Sequence, residues 1–197
     1  MNVKAPAPAY SGTMDVDEFM ALLETRPDGE RWDLIEGVAV MMAPPSAAHQ
    51  RIVVNLCTVL NAAFAANRHD LFAYPGLGVR TAGVRNFQPQ PDVVVRPGIA
   101  GFDLYFEDFR LAAEILSPSN TRNEINLKLR RYCEAPANLY AVVIEPRELL
   151  VDIYAKRLDW QPVRFTGADD PIDLPEFGLA CRVADLYRGT PLDPQRR

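Results

Sequence analysis

Two short apolar runs, each carrying a carboxylate that a plain strand would not need, constrain this chain more than anything else in it. Gln90-Pro91-Asp92-Val93-Val94-Val95 and Ala113-Glu114-Ile115-Leu116 are apolar at consecutive positions rather than alternate ones. That pattern suits strands covered on both faces. A buried carboxylate without a partner is costly, so Glu114 calls for a metal or a cation. Ser117-Pro118-Ser119 ends the second run, and a helix follows over about 121–134 with Lys128 in its middle. Two carboxylates on neighbouring strands form a hard-oxygen site, which suits a divalent metal. Singly, each residue also has a plain reading. Asp92 can bond amides at a strand entry, and Lys128 can pair with Glu124 four residues earlier on an exposed helix face.

The rest of the chain supplies helices and strands around this centre. A helix is expected over about 14–25, with Ser11 or Thr13 as its cap and Asp15, Asp17 and Glu18 at its N-terminal end. Arg31–Glu36 and Val38–Met42 read as a hairpin turning at Gly37. Ser46 can cap a long helix over 47–67, where Ile52, Val53, Leu56, Leu60, Ala63 and Phe64 make an apolar stripe and His49 sits in the first turn. Residues 71–80 look extended, 81–89 form a loop, and 99–110 are irregular and aromatic-rich, with a short helix as one reading. Strands follow at 138–144, 149–154 and 160–165, then a short strand or turn at 172–175 and a helix at 183–187. The order implies one domain over residues 11–190 with a mixed sheet flanked by helices, α/β or α+β, and flexible tails at 1–10 and 188–197.

Charge and composition set the outer limits. A net charge of −5 and a pI near 5.1 argue against a protein that coats nucleic acid non-specifically. They leave room for a local basic patch beside an acidic site. The sequence holds no apolar run long enough to span a membrane, and Met1–Pro8 lacks the apolar core of a signal peptide, so a cytoplasmic location is expected. Cys57, Cys133 and Cys181 lie too far apart for a zinc motif and read as small buried hydrophobes.

Taken together, several motifs resemble a known family. They are Asp33-Leu34-Ile35-Glu36-Gly37, Met42-Ala43-Pro44-Pro45-Ser46 with His49-Gln50-Arg51, Pro91-Asp92-Val93-Val94, Glu114-Ile115-Leu116-Ser117-Pro118-Ser119, Lys128 with Tyr132, and Tyr140-Ala141-Val142-Val143. In this order they are similar to the Uma family of endonuclease-like proteins, in the PD-(D/E)XK restriction-endonuclease-like superfamily. The resemblance covers about residues 15–187. It implies a restriction-endonuclease-like core and a Mg²⁺ (or Mn²⁺) site from Asp92 and Glu114, with the main-chain carbonyl near Ile115 as a further ligand. The superfamily lysine two residues after the second acid is replaced here by Leu116, and the resemblance passes that role to Lys128. It implies a further acid from the first strand region, Glu36 in preference to Asp33, and a site role for His49 as proton shuttle or phosphate contact. Glu124 stands where relatives more often carry Asp. Arg51, Arg122, Arg130 and Arg131 are candidate phosphate contacts. The implied partner is nucleic acid, DNA first, and the superfamily's habit of cutting both strands implies a homodimer. Two other readings stay open: a non-catalytic nucleic-acid-binding or accessory protein of the same fold, and a metal-dependent hydrolase of a small phosphorylated substrate.

Overall fold

The computed structural model describes residues 13–99 and 101–195. The expectations for residues 1–10, for Ser11 as a cap and for 196–197 lie outside the described residues. The elements run α1 (Val16–Glu24), β1 (Trp32–Ile35), β2 (Val38–Met41), α2 (Ala47–Asn67), β3 (Leu71–Pro75), β4 (Gly78–Val79), β5 (Val93–Pro97), β6 (Tyr105–Phe106), β7 (Leu111–Ile115), α3 (Arg122–Glu134), β8 (Tyr140–Glu145), β9 (Leu150–Ala155), β10 (Pro162–Phe165), β11 (Pro171–Leu174), β12 (Leu179–Arg182) and α4 (Val183–Tyr187).

Six strands form the central sheet in the order β10-β9-β8-β7-β5-β3. Neighbours are antiparallel except β7 and β8, which are parallel and are joined through α3. A parallel pair requires such a crossover. Both sheet faces are covered, which explains the unbroken apolar runs. Val93, Val95, Ala113 and Ile115 pack on the α2 side with Ile52, Leu56 and Leu60. Val94, Ala112, Ala141 and Val143 pack on the α3 side with Ile125, Leu129 and Tyr132. A third cluster, Phe19, Trp32, Leu34 and Ala39, joins α1 to the β1–β2 hairpin.

Local chemistry sets the ends of the elements. Asp15, not Thr13, caps α1, accepting from the amides of Asp17 and Glu18 while Glu18 bonds back to the Asp15 amide. A reciprocal capping box of this kind outcompetes an upstream hydroxyl. Ser46 caps α2 as expected. The hairpin turns on Glu36 and Gly37, with φ of 49° and 81°. Two positive φ values in a two-residue loop match the twist of the strands.

Several expected boundaries shift. The single extended stretch over 71–80 breaks at Gly76, whose φ is 63°, leaving the β3 and β4 fragments. Residues 99–110 hold no described helix. Instead β6 pairs in parallel with β4. β12, absent from the expectations, pairs with β11. The C-terminal tail expected from 188 is tied down in its described part. Asn55 Nδ2 donates to the carbonyls of Leu186 and Arg188, and Thr190 is buried. The three cysteines are half-buried, and burial pushes their thiols up to about 11 or 12. No described helix is long and apolar enough to cross a membrane.

Candidate active site

The register of β5 and β7 pairs Val93 with Ala113 and Val94 with Ala112. Carried one residue further, it sets Asp92 opposite Glu114 at the same end of the sheet. The Ile115 amide donates to Asp92 Oδ2 at 2.8 Å. Asp92 therefore clamps the two strand ends together. His49, held in the first turn of α2 by the Ser46 cap, reaches the same carboxylate oxygen with Nε2 at 3.2 Å. A carboxylate only accepts, so Nε2 carries the proton of that bond.

Glu114 alternates onto the α3 face of β7. α3 meets it with Ile125, Lys128, Leu129 and Tyr132, a stripe of helical spacing in which one position is charged. Lys128 Nζ lies 3.1 Å from Glu114 Oε2 and 2.6 Å from Asp33 Oδ2. The Tyr132 hydroxyl donates to Glu114 Oε1 at 2.6 Å. Lys128 is 1% exposed, Glu114 4% and Asp33 0%. The alternative of an exposed Glu124–Lys128 pair is not formed, because Glu124 turns back to close a capping box with Thr121.

Burial dominates the electrostatics. It pushes the Glu114 carboxyl up to about 7, against the attraction of Lys128, and the nearby charges of Asp92 and Asp33 push the same way. Lys128 is opposed by desolvation too, but Asp33 and Glu114 outweigh it and hold the ammonium above its ordinary value. Burial and then Glu114 raise Tyr132 well above the usual phenol range.

The hairpin acid that enters the site is Asp33, whereas the expectation favoured Glu36. Asp33 Oδ1 accepts from the Gln90 amide at 2.8 Å, just upstream of Asp92. Glu36, at the turn, is bound through both oxygens by Arg131, at 2.6 and 2.9 Å. That hydrogen-bonded pair holds its carboxyl below the ordinary carboxylate range. The difference follows from the pleat: a turn residue cannot share the face of a strand residue three positions earlier.

A small recess of about 20 Å³ opens between these elements, lined by His49, Asp92, Glu114, Ile115, Ser117 and Asn120 among others. Room of that size holds about one water or ion. Among the described residues, no group of three or more His, Cys, Asp or Glu forms a ready-made metal cage. The donor set still fits a hard divalent cation. Mg²⁺ usually binds through one or two carboxylates and keeps several waters. Asp92 Oδ1 lies 3.9 Å from Arg31 Nη1. The buried carboxylates outnumber the buried ammonium, an excess that a cation would relieve. The candidate phosphate contacts sit elsewhere. Arg131 is engaged with Glu36 and Glu134, Arg51 lies beside Gly189, and Arg122 and Arg130 are exposed on α3. Arg31, at the foot of the hairpin, lines the recess and was not singled out from the sequence. Its position two residues before Asp33 was the available signal.

Comparison with known proteins follows the same lines. Residues 16–184 match the model of the Uma2 family, described as putative restriction endonuclease. Among solved structures, a putative nuclease belonging to DUF820 from Anabaena variabilis is 20% identical, with a TM-score of 0.72 over 88% of this chain and 97% of that one. At that identity the likeness speaks for the fold. No curated protein matches the chain. The mixed sheet flanked by helices is thus a restriction-endonuclease-like fold.

Proposed function

The chain belongs to the Uma2 family of restriction-endonuclease type, and from that premise we propose that it is a metal-dependent endonuclease. It hydrolyses phosphodiester bonds of nucleic acid, DNA before RNA. The observation that carries this reading is the convergence of Asp92 and Glu114 on one ion-sized recess, with a buried lysine bonded to Glu114.

Asp92 and Glu114, with the main chain at Ile115, would hold Mg²⁺ or Mn²⁺. Once bound, the ion supplies a water of lowered pKa and positive charge for the phosphate. The chain's own groups prepare that arrangement. Lys128 offsets part of the burial that disfavours the Glu114 carboxylate, and Tyr132 fixes the other oxygen. His49 and the Ile115 amide hold Asp92 in one orientation. His49 in this reading orients a ligand rather than shuttling protons, because it is buried and already spent on Asp92. Glu36 acts at a distance, locking the hairpin onto α3 through Arg131. The protein works in the cytoplasm, and a homodimer is the arrangement for cutting both strands.

One observation favours a second reading. Lys128 is sealed off and neutralised by the site's own acids, as it would be in a structural ion network kept by a non-catalytic binding protein. Cleavage separates the two. Purified protein is incubated with supercoiled plasmid and single-stranded oligonucleotides in Mg²⁺, Mn²⁺ or EDTA, beside Asp92→Ala and Glu114→Ala. Metal-dependent cutting lost in both variants is the expected result. Wild-type protein that binds but never cuts would leave the accessory reading standing, and cutting that survives in both variants would expose a contaminant.

A further inference from the structure

We propose that Arg31 is the residue that grips the substrate phosphate at this site. The identity of that phosphate rests on the endonuclease reading. The inference itself starts from an electrostatic problem. A phosphodiester is an anion, and the recess it must approach is lined by Asp92 and Glu114. Like charges at short range repel by several kcal/mol where water is scarce, so beyond the charge that a bound divalent ion would supply, a side-chain cation is needed where the phosphate meets the recess.

Lys128 does not. It is 1% exposed, and moving it outward would strand Asp33 and Glu114 as buried, unpaired carboxylates. Arg131 is committed to Glu36 and Glu134. Among the described residues that line the recess, Arg31 is the arginine.

Its setting suits the task. The side chain is 35% exposed, so it reaches both recess and solvent. The Arg31 carbonyl accepts from the Met42 amide at 2.8 Å, which ties its backbone to the base of the hairpin. Nη2 donates to the Gln90 carbonyl at 3.3 Å, aiming the guanidinium at the segment that leads into Asp92. Nη1 stops 3.9 Å from Asp92 Oδ1, beyond hydrogen-bond length. The fork has five donors, and these contacts leave several of them uncommitted beside the acid. The chain at Gly76, with φ of 63°, passes by Nη2, where an added Cβ would sit 3.9 Å away. A planar fork is the group best matched to bidentate phosphate contact.

The test uses the full chain with Arg31→Gln and Arg31→Lys. Binding of a fluorescein-labelled duplex is followed by anisotropy in EDTA across a salt series, and plasmid cleavage is followed in Mg²⁺. Loss of one phosphate contact should reduce the slope of log affinity against log salt by about 0.9 in Arg31→Gln. Its kcat/KM should fall on the order of 10²-fold. Arg31→Lys should recover the slope but only part of the rate, since an ammonium lacks the fork. Arg31→Gln cutting within threefold of wild type at an unchanged slope overturns the proposal while the endonuclease reading stands. A loss of cutting restored in full by more Mn²⁺, with the slope unchanged, also overturns it, because Arg31 would then act only through Asp92. Wild type that binds without cutting sinks the endonuclease reading, and the slope then decides Arg31 alone. Wild type that neither binds nor cuts overturns both.

Discussion

Replacing Lys128 by Met tests whether the centre of this molecule is an ion network. Met fills a similar volume without charge. It leaves Asp33 with the Gln90 amide and Glu114 with the Tyr132 hydroxyl, and neither carboxylate with a cation. Breaking a buried pair by removing one partner costs about 3–5 kcal/mol. In a chain of this size each kcal/mol moves Tm by roughly 2–4 °C, so the drop should be about 6–20 °C. The pH dependence is the sharper signature. Glu114 titrates near 7 in the folded chain against an ordinary 4.5. The folded state therefore keeps a proton that the unfolded chain has already released. Wild-type stability falls as pH rises through that window, by at most ~1.4 kcal/mol per pH unit, and levels off above it. Without Lys128 the carboxyl rises further, so the variant goes on losing stability above pH 7. Thermal melts in EDTA from pH 5 to 8.5 should show the gap between the two proteins widening with pH. A gap below about 2 °C at pH 8, or one that does not change with pH, would refute the buried network.

Three further perturbations address the supports of the site. Asp33→Asn turns an acceptor of the lysine into a donor, and should cost about 1–3 kcal/mol by thermal melting; an unchanged Tm would place Asp33 outside the network. Glu36→Gln weakens a partly exposed ion pair worth about 1 kcal/mol or less, so Tm should fall by no more than a few degrees and cleavage should stay within about threefold, as a plasmid assay would show. Ser46→Ala removes the α2 cap and should cost about 1 kcal/mol by denaturant titration. Its effect on metal affinity, read by Mn²⁺ titration, should exceed its effect on stability, because His49 hangs from that first turn.

Where one local rule governed, the sequence was readable. α2 begins and ends as expected because a serine cap and an apolar stripe point the same way. Asp92 and Glu114 stood out because a carboxylate in a doubly covered strand needs a reason. What the sequence hid depended on a third element. Asp33 sits in a strand buried at all four positions, and nothing local says that α3 covers the face it occupies. Glu36 looked the better acid beside the turn, but Arg131, 95 residues away, claims it. Arg31 was one more charge at a strand start until the hairpin was folded against Gln90. β12 escaped because Leu179-Ala180-Cys181-Arg182 is short and becomes a strand only by pairing with β11.

The crossover between β7 and β8 has a consequence for synthesis. The strand bearing Glu114 takes β8 as its partner on one side, and the lysine that tames Glu114 lies on the helix between them. A ribosome-bound chain exposes Asp33, Asp92 and Glu114 before Lys128, and the β7–β8 pairing across that helix comes later still. Long-range pairings of this kind close late. The acids of the site are thus made before their counter-ion, and their charges balance only once α3 has closed over β7.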